Sequence, residues 1–366
     1  DAIDPSSPHI CCVGDARMWP HRRRILALGA AAATSFAAAA TTHSDQRPAP
    51  SIGILGTGWG LRVQTPQFKA AGLSVNAIYS RSSERAQTIA REHGIQHGFA
   101  TVEELCASPD VDIVSCVGPT STRCSQALTA LQHGKHVLVD KPIGLSEAEG
   151  LELLKAARAA AGSWSFMDFE LRCVPAVVKA REILASGDLG SVLHVSFRVC
   201  GNFSFLTKGK HSHWAEREHG GGVFSAVGTH FVDLSRHLFG REVIRVSAIE
   251  RPLVESLEGR EVTSDGLTIA TLELATKGNE RRPLPISIYI SGKSPGLPFE
   301  NECTIVCENG SLRLRLLESK LTVYRNGEAE EVHGGGGNAW SDVGTPALGR
   351  ALIGAINGAV GPQEPG

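Results

Sequence analysis

The sequence predicts an α/β protein: a doubly wound parallel sheet, followed by an α+β unit built on one large open mixed or antiparallel sheet. Three observations carry that expectation. An apolar run, Ile52 to Leu55, ends abruptly in the alternating glycines Gly56, Gly58 and Gly60. From Ser51 to about Asp168, strand-like runs alternate with helical stretches of about 10–15 residues, as parallel strands joined by crossover helices do. Past Ile244, strand-like runs follow one another without helices between them. They are broken by turns such as Glu308-Asn309-Gly310 and Arg325-Asn326-Gly327, and Asn-Gly is a strong hairpin signal.

At 366 residues two folded units are the default, placed here at 51–168 and 169–360. Hydrophobic residues at 42% and charged residues at 20% supply an ordinary core. A net charge of −2 with no basic run inside the folded part argues against nucleic-acid binding. Nine cysteines without a C-x-x-C pair read as buried free thiols in a reducing compartment. Cys303 and Cys307 share one face of a probable strand with no His or Cys partner nearby in sequence. His211 and His213, beside Trp214, lack the cysteine or carboxylate set that would complete a metal site, so no metal is expected.

Residues 1–50 read as an extension outside the fold. The sequence begins at Asp1 without methionine, as a fragment or a processed product would. His21-Arg22-Arg23-Arg24 precedes Ile25–Gly29 and an alanine-rich stretch to Ala40, the order of a targeting segment. A secretory or twin-arginine leader, an organellar transit peptide and a disordered extension all stay open for residues 17–42. The apolar part is too short for a membrane span, and a cytoplasmic location is the default. Arg47-Pro48-Ala49-Pro50 is a stiff linker.

The glycine turn has the geometry of a phosphate site. Gly56 allows a tight turn and Gly58 a close approach of backbone to a pyrophosphate. The helix carrying Leu61, Val63, Phe68 and Ala71 aims free N–H groups at that anion. The third glycine of G-x-G-x-x-G should fall at Leu61, but Gly60 sits one place early. A plain strand-to-helix turn is the alternative. Ser74–Tyr79 is the second strand and Glu84–His93 a helix. An NAD site usually ends this strand in an acid that holds both ribose hydroxyls. Here the stretch is Tyr79-Ser80-Arg81-Ser82-Ser83, and Arg81 with hydroxyls suits a 2′-phosphate, favouring NADP over NAD. Otherwise Ser82 or Ser83 caps the helix and Arg81 is solvated.

Val111–Val117 is a third strand, with Pro119 and Thr120 lining the crevice beyond it and Cys124–His133 helical. Lys135–Val139 is a strand, Ser146 and Glu149 form a capping box, and Trp164–Met167 closes the series. In the second unit, Pro175–Ser186 is a helix ended by Gly187 and Val192–Val199 a strand. Gly220-Gly221-Gly222 leads into a helix with the stripe Phe224, Val227, Phe231, Leu234 and Leu238. Strands follow at Ile244–Glu250, Leu267–Leu274, Ile286–Ile290, Thr304–Cys307, Leu312–Leu316 and Leu321–Tyr324. A glycine-rich loop, His333–Asn338, precedes a last helix, Thr345–Asn357. An open sheet needs cover, so a homodimer or tetramer by sheet packing is expected.

Two residues stand out for chemistry. Lys141, in Asp140-Lys141-Pro142, follows a parallel strand whose carboxyl end faces the ligand crevice. An ammonium there can stabilise a hydroxyl as it becomes an alkoxide; a surface lysine in a turn is the alternative. His230 lies beside the apolar stripe with Asp233 three residues on, on one helix face. A carboxylate-oriented imidazole suits general acid–base work; a satisfied, partly buried histidine is the alternative.

The glycine loop, Asp140-Lys141-Pro142, Arg172 with Pro175, Gly187-Asp188-Leu189-Gly190, and Gly220-Gly221-Gly222 through Gly228-Thr229-His230 to Asp233 together resemble the Gfo/Idh/MocA oxidoreductases, the glucose–fructose oxidoreductase and inositol 2-dehydrogenase family. The likeness runs from about Ser51 to the end. Ser225–Thr229 and Val262-Thr263-Ser264-Asp265 are similar to the eukaryotic glucose–fructose oxidoreductase domain-containing proteins. The resemblance implies a Rossmann domain, an open-sheet second domain, NAD or NADP, and hydride transfer on a sugar or polyol hydroxyl. It implies Lys141 and His230 as the catalytic pair, and Lys141, Arg172, Thr229, His230 and Asp233 as substrate contacts. Expected cofactor contacts are Gly56, Thr57, Gly58, Trp59, Gly60, Ser80, Arg81, Pro119, Thr120, Asp140 and Lys141. The family usually has Glu at Asp140, often Asp at Ala226 and His at Arg123, and continues with another helix where this sequence stops. Ala226 and Arg123 favour a second possibility, a catalytically silent dinucleotide-binding scaffold or sensor, against which Lys141 and His230 stand.

Overall fold

The computed structural model describes residues 49–207, 210–278 and 280–358; the leader-like segment 17–42 lies outside them. Six parallel strands make the first sheet: β1 (Ser51–Leu55), β2 (Ser74–Tyr79), β3 (His97–Phe99), β4 (Ile113–Cys116), β5 (His136–Asp140) and β6 (Ser165–Asp168). Their order, β3-β2-β1-β4-β5-β6, is that of a doubly wound dinucleotide fold. All of β1 and β4 is buried, because helices cover both sheet faces. β3 and the short helix Val102–Ala107 carry no readable period. That helix is marked instead by a capping box, Thr101 with Glu104.

Two local expectations change. The helix after β4 begins at Thr120 rather than Cys124, because Pro119 sets its first turn. Ser146 caps the Glu147–Ala159 helix, but Glu149 does not complete the box. Its carboxylate accepts the N–H of Leu145, one residue further out, at 2.6 Å.

The second sheet is mixed, as expected. Its strands are β7 (Val192–Cys200), β8 (Val243–Arg251), β11 (Leu267–Leu274), β12 (Leu284–Ser291), β13 (Glu300–Cys307), β14 (Gly310–Arg315), β15 (Lys320–Arg325) and β16 (Glu328–Gly334). A small ribbon, β9 (Ser256–Leu257) with β10 (Arg260–Glu261), stands apart. The order is β16-β15-β14-β13-β7-β12-β11-β8, with β7 and β12 parallel. One face is apolar: Ala270, Leu272, Ile286, Ile288, Ile305 and Leu312 are all buried. The helices Pro175–Ser186 and Thr229–Phe239 cover it, and Phe231 stacks on Phe197 at 4.8 Å. The other face exposes Ile249, Ile269 and Tyr324.

The last helix, Thr345–Ile356, returns to the first sheet. Leu348, Leu352 and Ala355 join the core of Ile52, Ile54 and Phe68. Gly349 allows the approach, since a Cβ there would lie 2.8 Å from Ala71 Cβ. No helix among the described residues is long and apolar enough to cross a membrane.

Candidate functional site

The glycine turn after β1 is shaped by what surrounds it. A Cβ on Gly56 would sit 2.9 Å from the Val117 backbone, whereas one on Gly58 would meet nothing within 4 Å. The loop is therefore closed toward the sheet and open above Gly58, as a cradle for an anion must be. Gly60 explains the displaced motif: a Cβ there would strike Ile54 and Val117 at 2.6 Å. It does the close helix-to-sheet packing expected of the third glycine. Directly after it, Gly60–Gln64 is wound as a π turn, with the Thr65 N–H on the Gly60 carbonyl. A π turn takes in one extra residue, which absorbs the one-place offset. Thr57 and Trp59 are partly buried in the same loop.

At the end of β2, Ser80 is buried, its N–H on Phe99 O. Ser82 caps the next helix through the Arg85 N–H, which leaves Arg81 exposed beside the turn. Pro119 and Thr120 open the helix after β4. The loop before Gly222 packs on Thr120, and a Cβ on Gly220 would fall 2.8 Å from Thr120 Cβ. Asp265 then accepts the Phe224 N–H at 2.9 Å, starting the turn that leads to His230. Gly222 is required there, because its Cβ would overlap the Asp265 carboxylate.

Asp140, Lys141 and Pro142 emerge from β5 into this crevice. Arg123, 3% exposed, grips the turn. It donates to Asp140 Oδ2 at 2.8 Å, Lys141 O at 2.6 Å, Pro142 O at 3.0 Å and Gly118 O at 3.0 Å. Asp140 Oδ1 accepts the Lys141 N–H at 2.8 Å. So Arg123 is a clasp, with its charge spent on Asp140. The Lys141 ammonium reaches across to the second unit and donates to Ala226 O at 2.7 Å. Ala226 lies one helical turn before His230, so the two sequence-selected residues meet in one crevice.

His230 is 2% exposed, within the packed interior and not merely beside the apolar stripe. Phe169 and Trp340 present ring edges to it, each 6.1 Å away between centroids. Asp233 does not orient it. Asp233 takes Arg172 instead, with Nε on Oδ2 at 2.6 Å and Nη2 on Oδ1. A buried carboxylate is better satisfied by a two-pronged guanidinium than by one imidazole N–H. Arg172 and Asp233, both expected to contact substrate, therefore neutralise each other below the crevice. Thr229 closes its own turn on Ser225 O at 3.3 Å. Burial first, then the Lys141 charge, holds the imidazole well below its ordinary pKa, so His230 is neutral near pH 7.

Sequence reasoning missed two acids. Asp168 ends β6 opposite Asp140 on β5, and Glu170 follows in the turn Glu170–Cys173. Asp168 Oδ2 accepts from Gln64 Nε2 at 2.7 Å, and Gln64 Oε1 accepts from Ser115 Oγ at 2.7 Å. Glu170 Oε1 lies 4.0 Å from His230 Nε2. Their signal was present, since carboxylates at the carboxyl end of a parallel strand face the same crevice as Lys141. Away from this crevice, Glu216, Glu218 and His219 gather ligand-type atoms within 4.8 Å, but Arg260 already pairs with Glu216 at 2.6 Å.

Two sequence models of one family match the chain and together span more than half of it. They are the Gfo/Idh/MocA "Oxidoreductase family, NAD-binding Rossmann fold" over residues 51–165 and the Gfo/Idh/MocA C-terminal domain over residues 177–313. Glucose-fructose oxidoreductase domain-containing protein 1 of Mus musculus is 26% identical over 287 residues, 77% of this chain and 70% of that protein. Among solved structures, an oxidoreductase domain protein from Kribbella flavida superposes with TM-score 0.76 at 21% identity, covering 87% of this chain and 92% of that one. Levoglucosan dehydrogenase, in complex with NADH and levoglucosan, superposes with TM-score 0.73 at 17% identity, covering 84% and 90%. At such identities the superpositions establish the fold.

Proposed function

The chain belongs to the Gfo/Idh/MocA family of NAD-binding oxidoreductases, and from that premise we propose that it moves a hydride between a nicotinamide cofactor and a CH–OH or C=O carbon of a neutral sugar or polyol. One observation carries the reading: Lys141, at the mouth beyond β5, bonds Ala226 O one turn before His230. The open cradle at Gly58, floored by Gly56 and Gly60, fits a cofactor pyrophosphate at the head of a helix. Thr57 and Trp59 complete that cradle. Ser80 and Arg81 border the ribose, and Pro119, Thr120 and Asp140 the rest of the cofactor. When bound, the nicotinamide accepts or supplies the hydride. Lys141 holds the reacting oxygen and stabilises its negative charge. His230, neutral because buried, is ready to accept the hydroxyl proton in oxidation. Neutral substrates are favoured because Arg123 and Arg172 are already paired within the protein. Levoglucosan, the sugar held by the superposed dehydrogenase, is of this class.

The test is titration with NADPH and NADH by fluorescence, then turnover on neutral sugars and cyclitols. Failure of both cofactors to bind at millimolar concentration ends the proposal. Ala226 supports a second reading, a nucleotide-binding scaffold or sensor. Binding without turnover of any sugar or polyol would identify it.

Arg81, exposed at the tip of β2, supports NADP over NAD. Arg81→Ala should weaken NADPH binding by about 10-fold or more, the cost of losing a hydrogen bond to a charged group, and leave NADH binding unchanged. Equal affinities of the variant and the parent for NADPH would reverse the preference. The exposed sheet face bearing Ile249 and Ile269 supports a homo-oligomer, dimer or tetramer, to be read by light scattering.

A further inference from the structure

The function above leaves the acids Asp168 and Glu170 without a task. They are 2% and 3% exposed, and the Glu170 carboxyl lies beside that of Asp168. Among the described residues, Asp168 Oδ1 has no hydrogen-bond partner, and neither does His230 Nδ1. The guanidinium groups nearby are committed elsewhere, Arg123 to Asp140 and Arg172 to Asp233. Lys141 is the ammonium that faces the pair, and it donates to Ala226 O. The neutral donors are the Gln64 amide, to Asp168, and the Glu170 backbone N–H, to the Glu170 carboxyl.

Two adjacent carboxyl groups in a dry site with so little compensation do not both ionise. We propose that Asp168 and Glu170 hold a common proton at neutral pH and exchange it with His230. This rests on the oxidoreductase reading. In carbonyl reduction the substrate carbon gains a hydride, with its electron pair, from the cofactor. Its oxygen gains the proton of the neutral imidazole N–H as the other ring nitrogen, Nε2, takes one from the Glu170 acid, which closes the 4.0 Å gap by side-chain rotation, so the ring starts and ends neutral. The pair regains its proton from solvent. Oxidation runs the same steps backward. Both acids act through His230, so they are positioning residues.

The surroundings agree in sign. Burial, then Asp140, pushes Asp168 up to about 7. Burial, then Asp168, raises Glu170 well above the usual range. On their own turn, the Cys173 thiol is pushed up to about 12 by burial and then by Glu170, with Arg350 opposing from the last helix. It stays protonated and does not compete. Raising the pH therefore empties the store, and reduction should decline as pH rises above neutrality through the raised range of the pair.

Infrared difference spectra of the cofactor-free protein, between about pH 6 and 9, test the store directly. The unmodified protein should show a protonated-carboxyl band at neutral pH that fades as pH rises, and Glu170→Gln and Asp168→Asn should each diminish it. Absence of that band from the unmodified folded protein overturns the proposal, and no variant is needed to see this. In turnover, Glu170→Gln should lower kcat for reduction by roughly 10²-fold with little change in KM, and should flatten the pH dependence near neutrality. Glu170→Asp should restore part of both. A Glu170→Gln enzyme with unaltered kcat and pH profile also overturns it. Failure to bind NADPH or NADH sinks the oxidoreductase reading alone, since the infrared band is measured without cofactor.

Discussion

Replacing Lys141 with alanine is expected to lower kcat by about 10²–10³-fold, the usual loss on removing one donor to a developing oxyanion. Cofactor affinity should barely change, because the turn proposed to hold the pyrophosphate, Gly56–Gly60, follows β1 and not β5. Lys141 spans the two units by its bond to Ala226 O, so a small loss of stability is also expected. A stopped-flow comparison separates the effects: hydride transfer measured on saturated enzyme should slow, while the NADPH titration curve stays put. Unchanged turnover in a folded variant would remove Lys141 from the chemistry, and with it the assignment of the crevice.

Arg123→Ala should be the most destabilising single change near the site. It strips the partner from Asp140, whose side chain is 13% exposed, and frees the carbonyls of Gly118, Lys141 and Pro142. Breaking a buried pair from one side costs about 3–5 kcal/mol, readable as a lower urea midpoint. Arg123→Lys should recover little, because an ammonium cannot copy a fork that meets several acceptors at once. The double change Arg123→Met with Asp140→Asn should recover much more, since neither charge is then stranded. Activity should fall along with stability in Arg123→Ala, because the grip on the Lys141 backbone is lost. A cost below about 1 kcal/mol, the range of exposed pairs, would show that the clasp contributes no more than a surface ion pair.

Much of the fold was legible because its signals are local. Pro175 and Gly187 bracket a helix that runs Pro175–Ser186, as proline at the start and a left-handed glycine at the end require. Leu267–Leu274 is a strand whose alternate residues are buried, and that pattern has period two in the letters themselves. β16 escaped notice because its sequence, Glu328–Gly334, is acidic and lies at the sheet edge. With no apolar face to bury, it has no pattern to read. β3 is three residues long, too short for any period.

The site divides the same way. The Gly56–Gly60 turn and Lys141 at a strand end could be placed from sequence, because each depends on a strand and the residues directly after it. The partner of Asp233 could not. Helical spacing put His230 within its reach, but Arg172, 61 residues away in sequence, offered a stronger, two-pronged bond. Arg123 looked like a missing catalytic residue and is a clasp, a role set by carbonyls that only folding brings around it. Asp168 ends another strand and Glu170 lies in the turn after it, and the closeness of Glu170 to His230 depends on how the two sheets meet.

By itself, then, the order of residues determined the two sheet types, the glycine turn after β1 and the lysine at the end of β5, since backbone preference and hydrophobic period act over a few neighbours. Tertiary structure alone decided which charges cancel, which stay bare and how dry each becomes. Those outcomes depend on distance and dielectric between groups far apart along the chain.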